Sequence, residues 1–175
     1  MTEKLVIIGN GMAPGRMLEH LLEKSPGRYQ VTIFNAEPRV NYDRIMLSPV
    51  LSGEKAYEEI IIHGDGWYIK HGITLYKGHK IVAIDLAAKT VTSDHGVTEP
   101  YDKLVIATGS VPFLIPVPGH NPPGVLTYRA LDDVQATLLS PLSRARAGVV
   151  GVGRHPGPRG GAGGRCARRA ARSRP

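Results

Sequence analysis

Cysteine is nearly absent from this sequence: Cys166 is the one cysteine among 175 residues. A lone cysteine excludes an internal disulfide, a Cys-x-x-Cys redox pair and a zinc site built from several thiolates. No apolar run approaches the ~20 residues that a membrane-spanning helix needs. The short apolar run after Lys4 is too brief for the core of a signal peptide. We therefore expect a cytoplasmic protein with no membrane partner.

Acidic residues are absent from the C-terminal part of the chain. Residues 1–140 contain 13 Lys and Arg against 15 Asp and Glu, whereas residues 141–175 contain nine Arg and no acid. The formal net charge of +7 thus belongs to the C-terminal segment. Residues 154–175 also lack Val, Ile, Leu, Met and aromatics, so they cannot offset the ~1–2 kcal/mol that ordering each residue costs. We predict that this tail is disordered.

A strand, a glycine turn, a helix and a second strand open the chain. The run Leu5–Ile8 is short, β-branched and ended by glycine, which is typical of a buried parallel strand. Residues 12–24 carry their apolar side chains on one helical face, and residues 29–34 form a second strand-like run. This order within about 30 residues predicts a βαβ unit.

The rest of the body alternates between irregular and β-rich segments. Residues 35–53 are predicted to be mostly irregular, and so long a connection favours a binding loop. Residues 56–71 favour a helix, which Gly72 would cap. Residues 73–101 predict a small antiparallel excursion with a turn at Asp94-His95-Gly96. The later predictions are a buried strand within 103–110, a helix at 131–139 and a strand at 147–153.

The turn after the first strand carries two glycines one residue apart, as in the G-x-G-x-x-G fingerprint of dinucleotide sites. Gly9 would allow the tight bend, and Gly11 would let the backbone approach a pyrophosphate. Met12 and Ala13 begin the helix, whose free N–H groups and partial positive charge would hold phosphate oxygens.

Two features follow this turn. The third glycine position holds Pro14, and a glycine arrives one residue late at Gly15, so the helix approaches the strand differently or begins later. Glu37 lies 23 residues beyond position 14, a suitable interval for an acid that accepts hydrogen bonds from a ribose. The alternatives are a plain βα turn and an ordinary surface acid.

Residues 101–110, YDKLVIATGS, resemble a strand-and-turn motif of the two-dinucleotide flavoprotein superfamily, which includes glutathione-reductase-like disulfide oxidoreductases. Three further stretches are similar to the N-terminal FAD region of NAD(P)H-dependent assimilatory nitrite reductase large subunits. They are IGNGMAPGR, AEPRVNYDRIMLSPVLSGE and HGITLYKGHKIVAIDLAAKTVTSDHG. The resemblance runs from about residue 4 to residue 153. Reductases that act on rubredoxin or ferredoxin share most of it.

The resemblance implies a Rossmann-like α/β half-domain that binds FAD over residues 1–140, and the start of a second nucleotide-binding fold at 141–153. The positions that it implies for FAD are Tyr42, Arg44 and Leu47 around the flavin ring, Val82 against the adenine, and Ala107, Thr108 and Gly109 beside the cofactor. A cation near the flavin would raise its reduction potential. The alternatives are an ion pair of Arg44 with Asp43 or Glu54, and an ordinary strand end at 107–109.

The resemblance ends where the second nucleotide fold should continue. Gly151 and Gly153 are followed by an Arg/Gly/Pro tract in which no helix is predicted. We interpret this tract as the product of a reading-frame shift. In the intact enzyme NAD(P)H, FAD, an iron–sulfur cluster and sirohaem would together carry electrons to nitrite. We expect this chain to lack its C-terminal partner domains, to expose apolar surface, to retain FAD weakly or not at all, and to be inactive alone.

Two other functions are weighed against this one. The first is an FAD-dependent NAD(P)H reductase of the rubredoxin or ferredoxin type. The second is nucleic-acid binding through the arginine-rich tail, which is unlikely since no aromatic residue interleaves the arginines. No histidine pair has a metal-ligand spacing backed by a third ligand, so no metal site is predicted. Assembly of identical copies stays open.

Overall fold

The computed structural model describes residues 2–114, 116, 118 and 125–139. In chain order its elements are β1 (Glu3–Ile8), α1 (Met12–Lys24), β2 (Tyr29–Asn35), β3 (Asn41–Tyr42), α2 (Leu47–Ser52), β4 (Ile61–His63), α3 (Asp65–Lys70), β5 (Thr74–Lys77), β6 (Ile81–Asp85), β7 (Thr90–Ser93), β8 (Thr98–Pro100), β9 (Lys103–Ile106) and α4 (Leu131–Leu139), with 3-10 turns at Arg44–Met46 and Tyr57–Ile60. The strand predicted at 147–153 and the disordered tail predicted at 154–175 lie outside the described residues.

The chain divides into two units. Residues 1–43 and 61–110 form the first unit, and residues 44–60 and 111–175 belong to the second. Among the described residues, every helix is too short or too polar to cross a bilayer.

Four parallel strands form the central sheet of the first unit, in the order β5-β2-β1-β9. The register places Ile8 of β1 beside Phe34 of β2 and Ile106 of β9. The carboxyl ends of these three strands therefore share one edge. This topology, with α1 between β1 and β2, confirms the predicted βαβ unit and the α/β fold class.

Alternate residues of β1 are buried on opposite faces of this sheet. Leu5 and Ile7 join the core that contains Leu18 of α1, whereas Val6 and Ile8 join the core that contains Val91 of β7. All four β1 side chains are at most 6% exposed, because a parallel sheet needs cover on both faces.

The predicted antiparallel excursion is confirmed for its later part, which forms the three-stranded sheet β6-β7-β8. It is wrong for its first strand, because β5 pairs parallel with β2 in the central sheet. The predicted turn joins β7 to β8. Gly96 has a φ of +77° there, and its N–H donates to the Ser93 carbonyl at 2.9 Å. This sheet covers the second face of the parallel sheet through Val91.

Two predictions for the segment between β2 and β5 are wrong. Residues 35–53 are not mostly irregular, because most of them lie in β3, the 3-10 turn Arg44–Met46 and α2. Residues 56–71 are not one helix, because β4 pairs antiparallel with β3 and α3 starts only after it. The β-branched run Ile60–Ile62 favours a strand once a partner strand is present. Gly72 follows α3 with a φ of +63°, as its predicted capping role requires.

The second unit contains α2 and α4, which pack against each other. α4 spans the predicted residues 131–139. The Asp133 carboxylate accepts hydrogen bonds from the N–H groups of Arg129 and Ala130, each at 2.7 Å, and from the Thr127 hydroxyl at 2.8 Å. An acid in the first turn that bonds back to preceding N–H groups satisfies donors that a helix leaves unpaired.

Replacing Asp133 with alanine is expected to lower the free energy of unfolding by about 1 kcal/mol at neutral pH, the usual size of a lost cap. Burial opposes ionisation of this carboxyl, but its hydrogen bonds outweigh burial and lower its pKa. A folded pKa below the unfolded one means that the stabilisation is complete above about pH 4 and is lost as the pH falls through the folded pKa.

Urea unfolding of both proteins from neutral pH to about pH 3 measures this contribution. The control is Asp132→Ala, at the exposed neighbour in the same helical turn, which should change stability by less than about 0.5 kcal/mol. If the free energy of unfolding lost in Asp133→Ala stayed constant down to the lowest pH, this would contradict the claim that the stabilisation depends on ionisation of Asp133.

Candidate functional site

Three predicted site segments meet at the carboxyl edge of the parallel sheet. They are the glycine turn after β1, Glu37 after β2, and residues 107–109 after β9. The Gly9 N–H donates to a β2 carbonyl at 2.8 Å, and the Ala107 N–H donates to a β1 carbonyl at 2.8 Å. Ligands of open parallel sheets bind outside this edge, so these segments lie where a ligand site is expected.

Gly9 makes the tight bend that the sequence predicts, with a φ of +105°. It has a second role that the sequence does not reveal. A Cβ atom at this position would collide with the backbone carbonyl of Ala107. Glycine is therefore required both by the backbone conformation and by the close approach of the ends of β1 and β9.

The N-terminus of α1 is open to a ligand. Gly11 precedes the helix, no side chain caps it, and its first turn contains no acid. The first backbone bond of the helix runs from the Gly15 N–H to the Gly11 carbonyl at 3.1 Å, so the N–H groups of Met12 and Ala13 precede it. A Cβ atom on Gly11 would meet nothing within 4 Å. Two uncapped N–H groups beside open space fit the phosphate of a nucleotide.

Pro14 and Gly15 fit the helix without delaying it. α1 begins at Met12, as predicted, with Pro14 buried in its first turn where a missing N–H costs no hydrogen bond. Gly15 allows α1 and the Asn41 side chain of β3 to approach closely, because a Cβ atom at position 15 would collide with the Asn41 amide. The glycine that comes one residue later than in the fingerprint therefore leaves space for the Asn41 side chain.

Sequence reasoning missed Asn41 and its buried neighbours. The Asn41 side chain is fully buried, and its Nδ2 donates to the Gly11 carbonyl at 3.0 Å. The Tyr68 hydroxyl of α3 donates to Oδ1 of Asn10 at 3.1 Å. Burial raises the pKa of Tyr68, which keeps the phenol protonated as a donor. No spacing pattern in the sequence links these residues to the turn.

Glu37 and Tyr42 form one unit in the structure. The Tyr42 hydroxyl donates to Oε2 of Glu37 at 2.7 Å, and the side chain of Tyr42 is only 4% exposed. The Glu37 carbonyl also accepts the Gly78 N–H at 3.1 Å. A buried phenol thus orients the half-buried carboxylate that the sequence proposes for a ribose. The place beside the flavin ring that the resemblance implies for Tyr42 stays a prediction.

The other predicted cofactor residues belong partly to the first unit and partly to the second. In the first unit, Val82 lies in β6 with 62% of its side chain exposed. Thr108 and Gly109 follow β9, with Gly109 at a φ of +75°. In the second unit, Arg44 donates to the Arg129 carbonyl at 3.1 Å, and Leu47 is buried at the start of α2. Their roles beside FAD stay predictions.

A glycine turn that leads into an uncapped helix, at the carboxyl edge of a parallel sheet, defines a dinucleotide-binding α/β domain. The chain belongs to the pyridine nucleotide-disulphide oxidoreductase family, whose model matches residues 3–154.

Relatives of this chain are much longer than the matched region. The assimilatory nitrate reductase electron transfer subunit of Bacillus subtilis is 41% identical over 86% of this chain and 20% of its own length. The nitrite reductase (NADH) large subunit of Escherichia coli is 39% identical over 86% of this chain and 18% of its own length. The chain thus spans about one fifth of these relatives.

Solved structures share the fold. The NADH:rubredoxin oxidoreductase of Clostridium acetobutylicum superposes with a TM-score of 0.67 at 28% identity, over 77% of this chain and 34% of that one. Family membership confirms the prediction of a Rossmann-like oxidoreductase fold with FAD as its cofactor.

Proposed function

We propose that this chain supplies the first FAD-binding segment of an NAD(P)H-dependent oxidoreductase of the nitrite reductase type. The observation that carries the proposal is the uncapped first turn of α1, which contains no acidic residue and beside which Gly11 leaves open space. A diphosphate is the part of FAD that such a turn suits, because it accepts hydrogen bonds and is attracted by the helix dipole.

The adenosine end of the cofactor has two candidate partners. Glu37, held by Tyr42, would accept hydrogen bonds from the adenosine ribose, and Val82 would contact the adenine. Residues 107–109 would pass beside the cofactor. The chemistry that FAD supplies when bound is two-electron reduction by NAD(P)H and release of single electrons to an acceptor.

A titration of the 175-residue chain with FAD tests the proposal, with binding followed by flavin fluorescence. Retention of FAD through purification requires a tighter complex than a titration detects, so we expect weak but saturable binding in the titration. ADP should compete, since it carries the diphosphate and the ribose, whereas riboflavin should not. Binding that never saturates, or that riboflavin displaces as well as ADP does, would contradict the proposal.

Tyr42→Phe is expected to weaken FAD binding by about three- to tenfold, because the phenol that orients Glu37 is lost while the ring stays packed. Tyr101→Phe is the matched control, since Tyr101 is a buried tyrosine of the same unit that packs in the core with Val91 of β7. Calorimetric titration with ADP measures both. Equal affinities of the Tyr42 and Tyr101 variants would argue against the ribose role of Glu37.

The ferredoxin reductase alternative has its own support. The ferredoxin reductase component of chlorobenzene dioxygenase from a Cupriavidus strain is 33% identical over 77% of this chain and 33% of its own length. The greater identity to nitrate and nitrite reductase subunits favours the nitrite reductase type.

The coding DNA downstream, translated in all three frames, separates the two reductases. A frame encoding an NAD domain followed by a cluster-binding cysteine set supports nitrite reductase, whereas a frame that closes soon after the NAD domain supports the alternative.

A further inference from the structure

The buried side-chain amide of Asn41 bonds to one particular peptide group of the glycine turn, the peptide between Gly11 and Met12. The Gly11 carbonyl accepts two hydrogen bonds, from the Asn41 side-chain amide at 3.0 Å and from the Gly15 N–H at 3.1 Å. The Gly11 carbonyl and the Met12 N–H belong to the same planar trans peptide, in which the two groups point in opposite directions. A donor that fixes this carbonyl on the inner side therefore fixes the Met12 N–H toward the other side.

Asn41 is itself held rigidly. It lies in β3, where it pairs with His63 of β4, and it is fully buried. The Tyr68 hydroxyl reaches Asn10, the residue between the two glycines of the turn, at 3.1 Å. Asn41 and Tyr68 thus hold both Asn10 and Gly11 from inside.

The buried arrangement of Asn41 and Asn10 is unfavourable for the stability of the fold. Oδ1 of Asn41 and Nδ2 of Asn10 are buried, and neither has a hydrogen-bond partner in the described part of the chain. The Asn41 amide also excludes any residue other than glycine at position 15 of α1. Glycine is less favourable than alanine in a helix. A buried amide that leaves one of its own atoms unpaired, and that imposes a glycine on its neighbour, indicates a role other than stabilisation.

We propose that Asn41 is a positioning residue for the cofactor diphosphate: it pins the Gly11–Met12 peptide so that the Met12 N–H faces the ligand. Gly15 is needed for the Asn41 side chain to occupy this position, because only glycine leaves space for the Asn41 amide. This inference rests on the proposed function, since it requires FAD to bind at the turn.

Asn41→Ala is expected to raise the dissociation constant for FAD by about tenfold, the effect of losing one well-aligned hydrogen bond to a charged group. Asn41→Asp keeps the size but replaces the donor with a carboxylate, so its loss should be larger. Both effects should be reproduced with ADP. The phosphorus NMR shifts of FAD at saturation should also move in the Asn41 variants.

Val31→Ala is the control for a merely structural effect. Val31 is a core residue of β2 with 4% exposure that belongs to the cluster beside α1. Its truncation should lower the urea midpoint, yet leave the dissociation constant and the phosphorus shifts of the folded protein unchanged. Equal changes in the Asn41 and Val31 variants would overturn the positioning role.

A double-mutant cycle tests the Asn41–Gly15 pair without any ligand. Gly15→Ala alone should destabilise the chain, because the new methyl group collides with the Asn41 amide. In the Asn41→Ala background the nearest other group is Cε1 of His63 at 3.4 Å, an ordinary contact, so the same substitution should be tolerated. The double variant also provides a folded protein for titration if Asn41→Ala alone does not fold.

The outcomes separate the two proposals. If the unsubstituted chain binds no FAD, the proposed function fails. If it binds FAD and Asn41→Ala or the double variant binds equally well with unchanged phosphorus shifts, the positioning role alone fails. A Gly15→Ala cost that is the same with and without Asn41 also overturns it.

Discussion

Gly9→Ala is expected to lower the free energy of unfolding by about 3 kcal/mol or more, the largest effect of any single substitution considered for this chain. The positive φ of +105° costs a non-glycine residue about 1–2 kcal/mol. The added methyl group would also collide with the Ala107 carbonyl. Backbone atoms cannot rotate away as a side chain can, so β1 and β9 must separate, and overpacking of this kind costs a further ~1–3 kcal/mol.

Gly27→Ala is the matched control for the backbone term. Gly27 has a φ of +71° in the loop after α1, but a Cβ atom there would meet nothing within 4 Å. Its alanine variant should therefore lose only about 1–2 kcal/mol. Urea denaturation of the three proteins measures the difference. Equal losses at positions 9 and 27 would contradict the close approach of the two strand ends.

Gly11→Val is expected to give the opposite signature, with FAD affinity reduced by about 10- to 100-fold and little change in stability. The φ of −83° and ψ of −171° at Gly11 are ordinary extended values that suit valine. The space beside Gly11 is open in the protein, so the new side chain meets no protein atom. It does fill the place proposed for the diphosphate.

Two measurements on the same variant separate these effects. The free energy of unfolding from urea should change by less than about 1 kcal/mol, the usual range for a change of residue at the helix cap, while the FAD titration shows the loss. FAD affinity equal to that of the unsubstituted chain would place the diphosphate elsewhere. A stability loss as large as that of Gly9→Ala would show that the turn is packed against protein.

Local patterns were enough to predict the elements that carry their own periodicity. The bounds of α1 and α4 agree with the predicted residues 12–24 and 131–139. The β1 run is predicted to be a buried parallel strand because it is short, β-branched and ended by glycine. These elements depend on neighbours a few residues away.

The errors between β2 and β5 have a different origin. β3 is only two residues long and forms because Asn41 meets His63, a pairing that no local pattern encodes. Without this partner strand, residues 56–71 favour a helix and residues 35–53 favour a loop. Tertiary pairing overrides such weak local preferences.

The candidate site shows the same division. Gly9, Gly11 and Glu37 were predicted because the fingerprint records their spacing. The contacts that hold them, from Ala107, Asn41 and Tyr42, come from segments that are brought together by folding. Pro14 departs from the fingerprint, yet it fits the structure, since the first helical turn needs no N–H at that position.

The central claim is that backbone N–H groups at the start of α1 bind the cofactor diphosphate. A nitrogen–proton NMR titration of the isotopically labelled 175-residue chain tests it directly. FAD and ADP should both shift the amide signals of Met12 and Ala13 more than those of other residues, and riboflavin should leave them in place. If FAD saturates the chain while these two signals stay unmoved, the claim is contradicted.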